Sequence, residues 1–332
     1  MKEAGFYEIM NGKIKCLLCP HFCLIGEGKR GVCRVRVHRD GKLWTEVYGK
    51  IIAAHLDPVE KKPLFHFLPG TRTFSIATPG CNFQCPFCQN WEISQVVDGI
   101  ERIDFVSPGE VVNAALRTGA HSISYTYTEP TIFFEFAMDT GIIARERGLK
   151  NIFVTNGYIS QDALSASLSF LDAANVDLKS FREDFYKKLC KGRLSPVLDA
   201  IKWMKEKGIW IEITTLLIPG ENDDPSELRD IARFIVELGD TTPWHISRFH
   251  PDYKFLSHPL TPSESLFRAY EIGKEEGLKF VYIGNLPGTD KENTHCPSCG
   301  KVVIGRWGFT ITEKNIKEGK CIYCGQEIDG VF

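Results

Sequence analysis

The stretch PGCNFQCPFCQN, residues 79–90, carries Cys81, Cys85 and Cys88 in a C-x3-C-x2-C pattern directly after an apolar run. Three thiolates fall one short of the closed set that a structural zinc ion takes. Iron–sulfur cubes are usually held by four cysteines, so three would leave one iron open to a non-protein ligand. No fourth cysteine lies nearby in the sequence; Gly80 lets the backbone turn into the loop, and Phe87 adjoins the last thiol. The competing reading is a structural zinc or iron site completed by a distant histidine.

Eight more of the twelve cysteines fall into two sets at the ends of the chain. Cys296, Cys299, Cys321 and Cys324 form C-x2-C-x21-C-x2-C with a glycine after each pair, the pattern of a closed zinc ribbon. An auxiliary iron–sulfur cluster is the alternative there. Cys16, Cys19, Cys23 and Cys33 form the less distinctive C-x2-C-x3-C-x9-C. Zinc is the expectation for that set, helping a core-poor segment to fold, and a second cluster relaying electrons is the alternative. Cys190 stands alone in YKKLCKGR and reads as a small apolar residue on a helix.

Composition fits metal better than disulfides. The 332 residues are 43% hydrophobic and 25% charged, those of a globular protein with a substantial core. The start lacks a long apolar h-region and no later run could span a bilayer, so a cytoplasmic protein with no membrane partner is expected. Closely spaced cysteines in such a chain more often hold metal. A net charge of −2 and a pI near 6.5 imply no basic face for nucleic acid.

The elements that must position these residues follow from periodicity. Residues 1–70 read as a cysteine-rich segment, a hairpin split at Asp40-Gly41 and a proline-punctuated connector, DPVEKKPLFHFLPG. From residue 71 short β-rich runs alternate with helical ones opened by Ser107-Pro108, Asp224-Pro225 and Pro262-Ser263, with closing glycines such as Gly148 and Gly239. Repeated β-α units mean parallel strands, in an open doubly wound sheet or a barrel. Six or seven strands within residues 71–290 favour an α/β fold of the partial (β/α)6-type TIM barrel kind, followed by a zinc ribbon over 291–332. Chemistry in either fold belongs at the carboxyl ends of the strands. Glu129 follows the second strand, Thr155-Asn156 the third and Asp177 with Lys179 the fourth; His245, Ser247, Arg248 and His250 occupy the sixth. Each alone reads as a rim ion pair or a satisfied histidine, but in one register behind the cysteine loop they describe a single site.

The loop, with Phe before its last cysteine and a strand before it, resembles that of the radical S-adenosylmethionine (radical SAM) superfamily. The resemblance runs over about residues 71–285 and is closest to pyruvate formate-lyase activating enzymes. It implies a [4Fe-4S] cluster on Cys81, Cys85 and Cys88 whose open iron chelates SAM. YTYTEPT sits where that family has Gly-Gly-Glu-Pro, implicating Thr128 and Glu129 with the amino group of SAM. TNGYI implicates Asn156 near the ribose, VDLKS implicates Asp177 and Lys179, and ISRFHP implicates His250. Two departures stand out: Tyr127 and Thr128 replace the two glycines, and Val154 replaces an aspartate tied to an alkali-cation site. CLLCPHFCLIGEGKRGVC, DPVEKKPLFHFLPG and SYTYTEPTIFFEF together are similar to the AmmeMemoRadiSam-system radical SAM proteins over most of the chain.

The resemblance implies reductive cleavage of SAM to a 5′-deoxyadenosyl radical that abstracts hydrogen from a substrate, either a protein glycine or a small molecule or modified residue. It also implies an electron donor such as ferredoxin or flavodoxin, and a glycyl-radical or Memo/AMMECR-family protein as a candidate partner. The competing reading, from a different class, is a non-catalytic iron–sulfur or zinc protein serving as an electron carrier or nucleic-acid-binding module. The zinc ribbon and the basic stretches CKGR and GKRGVCRVR favour it; the overall charge and the polar strand ends oppose it.

Overall fold

The computed structural model describes residues 1–95 and 97–332. At its centre lies an eight-stranded sheet whose strands neighbour one another in chain order. Its edge strand β1 (Ala53–Pro58) runs antiparallel to β2 (Arg72–Ala77). From β2 onward the sheet is parallel, through β3 (Ser122–Tyr125), β4 (Lys150–Thr155), β5 (Ala173–Asp177), β6 (Trp210–Leu217), β7 (Trp244–Arg248) and β8 (Val281–Gly284). A doubly wound sheet reverses its strand order part-way, and this one does not. Parallel strands covered by crossovers must be apolar on both faces; β3 is buried throughout and β5 nearly so.

The crossovers are α1 (Pro108–Arg117), α2 (Phe134–Glu146), α3 (Gln161–Ser167), α4 (Ser195–Glu206) and α5 (Pro225–Leu238); α6 (Ser263–Glu275) precedes β8. Ser107 opens α1 with a capping box: its hydroxyl accepts from the Glu110 N–H (3.3 Å) and the Glu110 carboxylate accepts from the Ser107 N–H (2.7 Å). Asp224 caps α5 by accepting from the Ser226 N–H at 2.9 Å. Such caps are each worth about 1 kcal/mol. Ahead of α2 the chain makes a 3-10 turn, Pro130–Phe133, because the Glu129 carboxylate caps it. EDFYKKLCKG is helical only briefly: Glu183–Phe185 widens into a π turn, Tyr186–Cys190, ended by Lys191 at φ 60°.

Asp40 and Gly41 take φ of 52° and 70°, the two left-handed residues of a hairpin turn between Arg36–Arg39 and Lys42–Thr45. The stretch before residue 71 also supplies β1, whose polar sequence AAHLDP carries no alternating signature. At the other end Val302–Trp307 pairs with Thr310–Lys314 and Thr294–His295. The last residues return to the connector, where the Val331 N–H donates to the His66 carbonyl at 2.7 Å. Among the described residues no helix is long and apolar enough to cross a membrane.

Candidate active site

The carboxyl ends of the parallel strands open into a cavity of about 650 Å³. All three cysteines of the 79–90 loop line it. The loop is held from several elements: the Asn82 side-chain amide donates to the Tyr158 carbonyl (2.8 Å), and the Gln84 N–H to the Cys190 carbonyl (3.0 Å). Gly80 stands at φ 101°, and a Cβ there would lie 2.8 Å from Val35 Cγ1. The Phe83 N–H donates to Cys81 Sγ at 3.3 Å, and the Ser94 hydroxyl lies 3.1 Å from Cys88 Sγ. Burial pushes the Cys81 and Cys88 thiols up, and the neighbouring Cys190 thiol together with burial does so at Cys85. Among the described residues, no three of these sulfurs come within 4.8 Å of one another, so the loop suits a multi-iron cluster better than a single ion.

Glu129 is fully buried and lines the same cavity. Its Oε1 accepts from the Thr131 N–H (3.0 Å), the Thr131 hydroxyl (2.6 Å) and the Thr155 hydroxyl (2.7 Å), and its Oε2 from the Asn156 N–H (2.8 Å). Burial still raises its pKa against these donors, and a cationic ligand would stabilise the carboxylate further. Asn156 donates to Asn82 Oδ1 at 2.8 Å and lies 3.8 Å from Cys81 Sγ. The Thr128 hydroxyl donates to the Thr78 carbonyl at 2.8 Å. Lys179 bonds Asp177 at 2.8 Å; burial opposes its cation, but the negative charge of Asp177, and of Cys85 and Cys190 as thiolates, outweighs burial and raises its pKa. The structure thus brings Cys81, Cys85, Cys88, Thr128, Glu129, Asn156, Asp177 and Lys179 to one cavity. His250 is not among the lining residues. Its side chain is 56% exposed on the rim, 3.0 Å from the amide of Gln89, which does line the cavity.

Sequence reasoning missed three neighbours and placed a fourth, Tyr127, only in the wall. Cys190 packs beside Cys85, although the two are distant in the chain, but it does not line the cavity. Lys62, read as part of a connector, is buried in the wall; it bonds Asp57 (2.8 Å) and the Tyr127 hydroxyl (3.2 Å), and burial pulls its pKa down to about 8. Glu212 accepts from His245 Nε2 at 2.7 Å and from the N–H groups of Phe65 (2.9 Å) and His66 (2.8 Å). Burial raises its pKa, but the His245 bond and the other donors outweigh that and lower it overall. A glutamate inside the apolar run WIEITTLL was the available signal. Tyr127, in place of a family glycine, adopts φ 65°, where glycine is favoured; its hydroxyl bonds Asp57, and Lys62 Nζ sits 4.3 Å over its ring.

The C-terminal sulfurs form a second centre. Those of Cys296, Cys299, Cys321 and Cys324 all lie within 4.8 Å of one another, with 3.6 Å between Cys296 and Cys324 and 3.8 Å between Cys299 and Cys321. They could hold one tetrahedral ion. Cys16, Cys19, Cys23 and Cys33 line a separate hollow walled by Thr131 and Ile132.

A family model described as the radical SAM superfamily matches residues 75–235, the stretch that carries the cysteine loop and Glu129. An uncharacterized protein of Methanocaldococcus jannaschii is 47% identical over 336 residues, covering 100% of both chains. The chain belongs to the radical SAM superfamily. This radical SAM protein is also 24% identical to the pyruvate formate-lyase-activating enzyme of Listeria monocytogenes, over 53% of this chain and 76% of that one. Its fold is shared with Streptococcus suis SuiB bound to S-adenosylmethionine: TM-score 0.51, 16% identity, 68% of this chain and 53% of that one. Membership in the superfamily implies a [4Fe-4S] cluster and SAM, and the three cavity cysteines fit that cluster.

Proposed function

We propose that this radical SAM protein is an enzyme that holds a [4Fe-4S] cluster on Cys81, Cys85 and Cys88 and acts on a polypeptide substrate. The observation that carries the reading is a cavity edged by three cysteines, with Cys190 outside its lining. When bound there, cluster and SAM supply one-electron cleavage of the sulfonium and a 5′-deoxyadenosyl radical that takes hydrogen from the substrate. Glu129, with its oxygens fixed by Thr131, Thr155 and Asn156, would receive the ammonium of SAM, with Thr128 beside it. Asn156 would serve the ribose. Lys179, held by Asp177, sets a cation beside the thiolate of Cys85. His250 acts from the rim by orienting Gln89. Buried lining residues at the strand ends, Glu129 and Tyr282 among them, would keep water from the radical.

The sequential strand order supports an open partial (β/α)6-type barrel over residues 71–290, between an N-terminal segment, 1–70, and a C-terminal ribbon, 291–332. The tetrahedral spacing of Cys296, Cys299, Cys321 and Cys324 supports zinc there. The ribbon's hairpin tip puts Trp307 (67% exposed) and Phe309 (48%) on the cavity wall, which suits a polypeptide, either a protein glycine or a residue of a Memo/AMMECR-family partner. Ferredoxin or flavodoxin would supply the electron in a cytoplasmic setting.

The test is anaerobic reconstitution, reduction with dithionite, addition of SAM and assay of 5′-deoxyadenosine. The wild type should form it, and Cys85→Ala should lose it. No product from fully reconstituted protein would overturn the reading in favour of a non-catalytic iron–sulfur protein.

A further inference from the structure

We propose that Cys16, Cys19, Cys23 and Cys33 hold a second [4Fe-4S] cluster, ligated by protein on every iron and set against the loop that carries Cys81. The C-terminal set serves as an internal ruler. Zinc–sulfur bonds of about 2.3 Å place tetrahedral sulfurs about 3.8 Å apart. Cys296–Cys324 and Cys299–Cys321 stand at 3.6 and 3.8 Å. The N-terminal four line one hollow, yet among the described residues no three of their sulfurs come within 4.8 Å of one another. Cys81, Cys85 and Cys88 behave the same way. A single ion draws four sulfurs onto one point, whereas a cube gives each sulfur its own iron and holds them apart.

The surroundings suit a buried cluster. Leu18, Ile25 and Ile132 close the hollow, and Cys16 and Cys33 are buried. Backbone N–H groups point at three of the sulfurs: Val32 at Cys23 (3.4 Å), His21 at Cys19 and Val35 at Cys33. Hydrogen bonds of this kind set the potential of a cluster. Arg36, 1% exposed and paired with Glu135, places a buried cation near Cys16 and Cys33.

This hollow abuts the active site. His21 Nε2 lies 2.7 Å from the carbonyl of Asn82, which follows Cys81. Arg34 donates to the Ser94 carbonyl (3.5 Å), and the Ser94 hydroxyl lies 3.1 Å from Cys88 Sγ. Thr131 walls the hollow and donates to Glu129. Cys19 and Cys23 are half-buried toward the surface, while Cys33 backs onto Gly80. One electron from a low-potential iron–sulfur or flavin donor would enter at this cluster and leave for the catalytic one. The donor is oxidised by one electron, the catalytic cluster is reduced by one, and no bond changes at the relay. The ligand assignment stands apart from the proposed activity; the relay rests on it.

The full chain, reconstituted anaerobically, is analysed for iron and zinc beside the Cys81→Ala/Cys85→Ala/Cys88→Ala variant. The wild type should hold about eight irons and the variant about four, each with one zinc. The variant's reduced cluster signal should be unmoved by SAM. A wild type with about four irons and two zincs, or a variant without iron, overturns the assignment. Cys23→Ala/Cys33→Ala should lose about four irons while keeping a SAM-sensitive signal, and loss of all iron there also counts against it. With reduced flavodoxin as donor, that variant's turnover relative to dithionite should fall at least about tenfold, and an unchanged ratio overturns the relay. About eight irons without 5′-deoxyadenosine would sink the proposed activity and leave the assignment standing.

Discussion

The two ends of the chain each carry four cysteines, and they fold differently. The C-terminal set consists of two matching knuckles. The Gly300 N–H donates to the Cys296 carbonyl and the Gly325 N–H to the Cys321 carbonyl, both at 2.9 Å, and the pairs converge on one point. The N-terminal set has no such repeat. The Cys16 N–H is tied to the Cys23 carbonyl at 2.9 Å, while Cys33 arrives from a separate turn, so the sulfurs enclose a space. Ligand type and number are equal at the two ends. The backbone between the ligands decides what they can hold.

The strongest way to break this comparison is to remove two of the C-terminal cysteines, where we propose zinc. Structural zinc contributes about 10–16 kcal/mol of apparent folding energy in isolated finger peptides. Cys299→Ala/Cys324→Ala should lose one zinc per chain and expose residues 294–332 to protease, with iron content unchanged. Zinc retained by that variant, or iron lost in step with zinc, would show that the two ends are not independent centres. Metal analysis with limited proteolysis reads both.

Under the N-terminal set the comparison turns on a buried ion pair. Arg36 bonds both carboxylate oxygens of Glu135, and the pair is almost wholly buried. Removing one partner strands the other charge, at a cost of about 3–5 kcal/mol. Glu135→Ala should therefore lower stability by that amount in denaturant titration and loosen the N-terminal set ahead of the C-terminal one. A loss below about 1 kcal/mol would mean water reaches Arg36.

Acid should act on the C-terminal side. His66 is fully buried between the Asp329 carbonyl (2.7 Å) and the Tyr282 hydroxyl (2.6 Å), and burial lowers its pKa to about 4. An unfolded histidine titrates near 6.5, so between these values the unfolded chain binds a proton that the folded one refuses. Stability from this residue is complete above about pH 6.5 and drains away toward pH 4, by at most about 3 kcal/mol. His66→Gln should flatten that part of the stability–pH curve. Parallel curves for the two proteins would remove His66 as the cause.

Much of this was legible in the sequence because it is local. Period-two and helical runs with their caps located all seven parallel strands, and the polar residues at their ends, Arg248 and His250 apart, fell into one cavity. What escaped depends on which way a side chain leaves the rim. His250 lies two residues beyond β7, where strand alternation no longer governs direction, and it faces solvent. Cys190 reaches Cys85 through a π turn that no helical pattern announces. Lys62 enters the cavity from a proline-flanked stretch without periodicity, and β1 has too few apolar residues to read as a strand. The number of irons or zincs a cysteine set takes is likewise absent from its spacing.

The finest test uses two glycines as matched probes. Gly80 (φ 101°) and Gly300 (φ 71°) both occupy conformations that side chains rarely adopt, a cost of about 1–3 kcal/mol on substitution by alanine. Their surroundings differ. A Cβ at position 300 meets nothing within 4 Å, whereas one at position 80 would lie 2.8 Å from Val35 Cγ1 and 3.2 Å from the Cys33 carbonyl. Gly300→Ala should therefore show only the conformational cost. Gly80→Ala should exceed it and also shift the signals of both clusters, because the N-terminal knot must back away from Cys81. Equal losses at the two positions, with cluster signals unmoved, would mean that the knot yields freely and is not packed firmly enough on the catalytic loop to couple the two sites.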